Sequence, residues 1–329
     1  MRTALCLAFV LALQDVTPAI GLVEIYGLGH VEEVLVRQAV GLKAGDAFPE
    51  SDEKILARLQ RVPGVAEARL EGVCCNDGRM VLFVGIREQG VHGLTFRAAP
   101  QGTVSLPEDV VKAGADFEQA FTAAVTRGVA EEDRSRGYSL MMDPASRAIQ
   151  QRLPDYAARD LRLLQTVLRE SGDASHRALA AQVIAYAPDK GSVVDDLAAA
   201  MQDAAPGVRN NAMRALALFA QYARENPTSN LSVPSAPFVD LLNSISWTDR
   251  NKSAAALAAL TESRDPVLLA DLRQRALASL IEMTRWKSRG HAYMPFVVLG
   301  RVGGMSEDAI AAAWEHDDPE AVVPAATRH

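Results

Sequence analysis

The spacing of apolar and polar positions divides the chain into two regions of different period. Leu22-Val23-Glu24-Ile25-Tyr26 alternates as a short strand, closed by Gly27-Leu28-Gly29. Val31, Val34, Leu35 and Ala39 then recur at helical spacing, and Gly45-Asp46 breaks the pattern within residues 41–49. Ser51 is placed to cap a second helix whose apolar stripe is Ile55, Leu56, Leu59 and Val62, ended by Pro63-Gly64. Next, Ala66, Ala68 and Leu70 alternate with Glu67, Arg69 and Glu71, the pattern of a strand with one buried and one wet face. Asn76-Asp77-Gly78 supplies a hairpin turn, because these residues tolerate positive φ. Met80 to Ile86 is apolar at successive positions, as in a central strand, which leaves Val65 to Val73 as an edge. The predicted order is strand, helix, helix, strand, strand.

Residues 90–107 carry Gly90, Gly93, Pro100, Gly102 and Pro107 and read as irregular chain or short strands. A helix is predicted from Glu108 to Ala130, followed by exposed connections at Glu131-Glu132-Asp133-Arg134 and Asp143-Pro144. From about Pro154 onward the helical period repeats. Arg209-Asn210-Asn211-Ala212-Met213-Arg214-Ala215-Leu216 is echoed by Arg250-Asn251-Lys252-Ser253-Ala254-Ala255-Ala256-Leu257, 41 residues later. An earlier copy, His176 to Ile184, aligns at an offset of 32. Between the copies lie partner helices such as that of Val193, Val194, Leu197, Ala198 and Met201. Asp203 and Pro206-Gly207-Val208-Arg209 form the turn between units. The pattern gives about four helix pairs, above the minimum of about three that a repeat array requires. The acidic end, with Glu315, Asp317, Asp318 and Glu320, is expected to fray.

Composition fits a helix-rich chain. Of 329 residues 49% are hydrophobic but only 5% aromatic, which favours packed helices over a β-sandwich. Net charge is −7 with lysines and arginines scattered, so nucleic acid and anionic membrane surfaces are disfavoured as partners. Met1-Arg2 and the apolar run Thr3 to Leu13 have the form of a secretory signal, the alternative being a buried N-terminal helix. Cleavage could follow Val10-Leu11-Ala12 or Thr17-Pro18-Ala19. The run is too short to span a bilayer, and no later segment is a spanning candidate, so the processed protein is expected to be soluble and periplasmic or envelope-associated. Cys6 would leave with the signal. Adjacent Cys74 and Cys75 are not a metal motif, and either a vicinal disulfide or one buried and one half-exposed thiol is compatible with them.

The first region resembles the polypeptide-transport-associated (POTRA) domain. The residues that carry the resemblance are Val23-Glu24-Ile25-Tyr26-Gly27, Gly45-Asp46, Leu59 to Ala68 with Val62-Pro63-Gly64-Val65 at its centre, and Ile86-Arg87-Glu88. The resemblance implies a βααββ fold that engages polypeptide by adding a partner strand to its second strand. No alternating ten-residue segments of a transmembrane barrel follow. The repeats resemble HEAT units, with an Asp before the turn and Val-Arg opening the next helix; the resemblance implies that this Arg and Asp link neighbouring units. The later copies depart from it, with Asp249-Arg250 in place of Val-Arg and Pro295 within or at the start of a helix.

The fold class is therefore α+β for a small βααββ domain, joined to an all-α solenoid. Residues 1–19 are the signal peptide, 20–90 the POTRA-like domain, 91–152 a linker with a helical capping segment, 153–320 the repeats and 321–329 a tail.

No catalytic, cofactor or metal constellation is visible. His30, His92, His176, His291, His316 and His329 include no pair at the i, i+4 spacing of a zinc motif. Gly27-Leu28-Gly29-His30-Val31-Glu32 begins like a dinucleotide fingerprint, but Glu32 stands where the third Gly should be. Asp195-Asp196 reads as solvated helix face. Arg285-Trp286-Lys287-Ser288-Arg289-Gly290-His291 could bind an anion or a partner's acidic segment, or Trp286 could close the core with the cations favouring the helix C-terminus. Partner contact is thus assigned to Ala66, Glu67, Ala68, Arg69 and Glu71 on the edge strand and to Arg285, Trp286, Lys287 and Arg289. The reading is a non-enzymatic, exported adaptor for a polypeptide, associated with envelope or outer-membrane assembly proteins, its oligomeric state unspecified. The alternatives are an enzyme or ligand-binding protein using the repeat array, and a purely structural spacer.

Overall fold

The computed structural model describes residues 19–76 and 79–328. The signal-peptide reading, Cys6, the Asp77-Gly78 hairpin tip and the thiols of Cys74 and Cys75 lie outside the described residues.

The first region folds in the predicted order: β1 (Ile20–Tyr26), α1 (Glu33–Val40), α2 (Glu53–Leu59), β2 (Val65–Asn76) and β3 (Arg79–Glu88). The sheet order is β1-β3-β2, with β3 parallel to β1 and antiparallel to β2. Because side chains alternate across a strand, β3 serves two cores. Leu82, Val84 and Ile86 pack with Val36, Val40, Ile55 and Leu59 under α1 and α2. Val81 and Phe83 point the other way, into the main core of the helical region. The run of apolar residues on both faces of this strand therefore has a direct physical reason.

The helical region begins with α3 (Glu108–Thr126), a two-residue-per-strand hairpin of β4 (Glu132–Asp133) and β5 (Leu140–Met141), and α4 (Pro144–Gln150). Helix pairs follow: α5 (Leu153–Glu170) with α6 (Ala174–Ile184), α7 (Val194–Ala200) with α8 (Pro206–Glu225), α9 (Ala236–Leu241) with α10 (Trp247–Leu260), and α11 (Pro266–Thr284) with α12 (Arg289–Val302). Second helices α6, α8, α10 and α12 pack side by side as one layer, with the first helices behind them. This stacked, repeat-type arrangement is the solenoid predicted from the periodicity. Among the described residues no helix is long and apolar enough to cross a membrane.

A ladder of buried ion pairs sets the register between units. Arg177 makes two bonds of 2.9 Å to Asp203, and Arg209 grips Asp249 at 3.0 and 2.9 Å. Each arginine also donates to the carbonyl six residues before it, Arg177 to Ser171, Arg209 to Asp203 and Arg250 to Ser244. Arg250 meets Glu282 at 2.6 Å rather than an aspartate. Such pairs roughly break even in net stability and are strongly destabilising only when one partner is removed, so burial of the apolar stripe supplies the stability.

Two expectations are corrected. Asp196 is buried, not a solvated-face residue; it accepts from Gln165 and Arg169, each at 2.7 Å. Residues 94–106, read as irregular chain or short strands, lie against the repeats. They run extended along the turns within the helix pairs, where Arg97 N–H donates to Gln202 carbonyl at 2.7 Å and Gly102 N–H to Glu170 carbonyl at 3.0 Å. The C-terminal segment does not fray: α13 (Glu307–Glu315) and α14 (Val323–Thr327) follow α12, and Val322 and Ala326 are fully buried. Gly300 admits that closure, since a Cβ there would meet Ile310 Cγ1 at 2.6 Å.

Candidate partner-binding surface

Among the described residues β2 pairs with β3 alone, so its outer edge carries no strand. Ala66 and Glu67 are exposed and Ala68, Arg69 and Leu70 half-buried. Ala68 and Leu70 lie on the helix side of the sheet, where with Phe48 and Val62 they only partly join the small core. Glu67 pairs across the sheet with Arg87 at 3.1 Å, and Arg69 with Glu71 at 2.5 Å.

The sheet's other face, expected to be wet on β2, is covered by the repeats. Glu71 accepts from the Ser246 hydroxyl at 2.6 Å and from the Thr248 N–H at 2.8 Å. Phe83 stacks on Trp247 with ring centroids 5.2 Å apart, and Trp286 lies 5.2 Å from Phe83 and 5.6 Å from Tyr26. Tyr26 donates to the Ile245 carbonyl at 2.6 Å beneath the Arg250 guanidinium. At the sheet's far side Gly27 N–H donates to Glu282 at 2.6 Å and Lys287 N–H to buried Glu24 at 2.9 Å. Burial raises the Glu24 carboxyl above its ordinary range, against the lowering by the Lys287 and Ser288 backbone.

The predicted residues thus divide by role. Glu71 and Trp286 belong to the internal interface and are not free for a partner. Arg285 grips Glu320 at 2.6 Å, while Arg289 lies 4.2 Å above the Trp314 ring and pairs with Asp317. These two cations hold the C-terminal segment rather than forming one patch with Trp286. Lys287 is exposed. A groove of about 1240 Å³ between the αβ domain and the repeats brings Glu67 to the same surface as Arg285 and Lys287. Ala66, Glu67, Ala68 and Arg69 remain together on the β2 edge.

The Gly27–Glu32 loop does form an anion-binding nest, and its occupant is internal. N–H groups of Gly29, His30 and Val31 converge on Glu88 at 2.7, 2.9 and 2.8 Å. Burial alone would raise the Glu88 carboxyl, but these three donors outweigh it and hold its pKa below the ordinary value. Of the histidines, His176 Nδ1 accepts from the Leu106 N–H at 2.9 Å, and His291 meets Ser288 Oγ at 2.8 Å beside Trp247. No group of three or more His, Cys, Asp or Glu among the described residues is disposed to hold a metal ion.

No protein-family model matches the chain, and no curated protein matches it. Among solved structures, a designed armadillo repeat protein aligns with 12% identity and a TM-score of 0.36, covering 59% of this chain and 98% of its own.

The interface residues Tyr26, Phe83, Ser246 and Glu282 escaped the sequence reading. Phe83 left one signal, its place on a strand apolar on both faces. Glu282 left none, because a glutamate late in an amphipathic helix reads as solvent-facing.

Proposed function

We propose that the protein is a non-enzymatic adaptor that captures a polypeptide by strand addition to β2, through a POTRA-like domain held rigidly by HEAT-like repeats. The observation that carries this reading is the outer edge of β2 over residues 65–70, which pairs with no strand among the described residues and lies beside the partly covered Ala68, Leu70 and Phe48. Main-chain hydrogen bonds to such an edge supply affinity with little sequence demand, and an adjoining apolar groove adds selectivity. Glu67 and Arg69 discourage indiscriminate pairing while leaving the edge open. Anchorage of the opposite sheet face means that capture need not disturb the fold. The leader-like residues 1–19 support an envelope location for this adaptor, where association with assembly proteins would follow; N-terminal sequencing of the protein from its own host reads the export step directly.

Proline has no N–H to donate, so its effect depends on which way the residue's amide points. Arg69→Pro and Ala68→Pro are therefore tested together. The variant whose amide faces outward should stay folded by circular dichroism and lose the partner that co-purifies with the wild-type chain from the envelope fraction. Both variants folded with normal capture would rule out this edge.

A further inference from the structure

A second cavity, of about 310 Å³, lies on the layer of second helices away from the β2 edge. Equivalent repeat positions face it. Gln182 and Arg214 each stand five residues after a ladder arginine, and Asn211 and Lys252 stand two after. Helix α3 and the β4–β5 hairpin wall it with Phe117 and Phe121, rings stacked 5.8 Å apart, and with Tyr138 and Glu132.

Most polar groups there already have partners. Arg214 pairs with Glu132, which also binds Arg134. Asn211 donates to the Ala178 carbonyl at 2.9 Å, and the Tyr186 hydroxyl donates to Ser139 carbonyl at 2.7 Å while accepting from Gln150 at 3.1 Å. Lys252 differs. It is half-buried, it lines the cavity, and neither a carboxylate nor another acceptor bonds its ammonium among the described residues. Burial first, then repulsion from Arg214, pushes its pKa down to about 8, against the partial offset from Glu132. A half-buried ammonium with no counter-charge in contact is open to an anion that enters the cavity.

We propose that this cavity binds a small organic monocarboxylate, its carboxylate paired with Lys252 and its apolar part against Phe117, Phe121 and Tyr138. Charge decides the class. Lys252, Arg214 and Arg134 set against Glu132 and Glu118 leave one positive charge, matching a single negative charge better than a phosphate dianion. Size agrees, since small-molecule sites begin at about 300 Å³ and combine apolar walls with a few placed polar groups.

The charged groups facing Lys252 are Arg214 from α8, Glu132 and Arg134 from the hairpin, Glu118 from α3 and His291 from α12. Burial, with the Lys252 charge second, lowers the His291 pKa, so His291 is neutral above neutrality. Lys252 is the cavity group that loses its charge as pH rises above neutrality. Binding should accordingly take up a proton and weaken as pH passes through about 8.

The test is calorimetric titration of the full chain with benzoate, hexanoate and phenylacetate, each beside its neutral amide. One or more of the acids should bind one to one, the matching amide at least about tenfold more weakly. Lys252→Met should abolish binding while melting no lower than the wild type. Failure of all three acids, equal affinity for acid and amide, or normal binding by Lys252→Met would overturn the proposal. Should that variant not fold, the wild-type pH series decides: an affinity constant from neutrality to well above the Lys252 range overturns it.

Discussion

One added methyl group, Gly85→Ala, probes whether sheet and repeats are a single packed unit. A Cβ at Gly85 would stand 2.0 Å from the Ile245 carbonyl oxygen and 2.7 Å from the Tyr26 hydroxyl. Favourable contact lies near about 3.5 Å, so the loop carrying Ile245 has to retreat by more than about 1 Å. That loop is tied down on both sides, by Ser244 to Asp249 at 2.8 Å and by Ser246 to Glu71 at 2.6 Å. Retreat breaks the Tyr26–Ile245 hydrogen bond, worth about 0.5–1.5 kcal/mol, and overpacking adds about 1–3 kcal/mol. The expected loss of about 1.5–4.5 kcal/mol is a large share of a total near 5–15 kcal/mol. Urea unfolding should show a lower midpoint, with tryptophan fluorescence changing because Trp247 and Trp286 both flank Phe83. The control is Gly290→Ala, where an added Cβ meets nothing within 4 Å. It should hold the wild-type midpoint. A Gly85→Ala protein with that midpoint and an unchanged tryptophan environment would refute the packing described.

Two further outcomes are expected. Glu88→Gln should weaken the loop at the start of α1, and the reason fixes its pH dependence. The folded carboxyl has a pKa below the unfolded value of about 4.3, so its stabilisation is present above that pH and disappears as pH falls through the folded value. The difference in melting temperature between wild type and Glu88→Gln should therefore shrink below about pH 4, and a difference unchanged in acid would contradict the nest. Asp203→Asn should leave the 1% exposed Arg177 without its counter-charge and cost about 3–5 kcal/mol in urea unfolding. Replacing both partners by apolar residues should recover most of that loss, and a double variant as unstable as the single one would contradict the ladder's role.

The strand order, the two helices and the edge position of β2 were legible because each rests on local alternation or on a turn signal. Repeat register was legible for the same reason: the copies at Arg209 and Arg250 fall on successive ladder rungs. What binds the two regions together was not. Alternation along β2 identifies a polar face but not what covers it, and Glu71 is partly covered there, where two donors meet its carboxylate. Trp286 offered a partner-binding reading and a core reading, and only the position of Tyr26 and Phe83 separates them. Lys252 was hidden by the repeat itself, where a lysine two residues after the ladder arginine looks like any exposed helix position. Folding of the C-terminal segment had a weak signal in Gly300 and Gly303, small residues on a helix that another element approaches.

The contacts between β1 and the repeats span unusually long stretches of chain. Tyr26 is 219 residues from Ile245, Gly27 is 255 from Glu282 and Glu24 is 263 from Lys287. A ribosome adding about 5–20 residues per second completes the first strand many seconds before its docking site exists. During that interval Val81, Phe83 and Tyr26 face water on a sheet whose helix side is already closed. The small domain can thus form early, yet a chain ending before α11 would leave an aromatic patch uncovered and prone to self-association. Completion of the last repeats, rather than closure of the first domain, is the step that makes this molecule safe from aggregation.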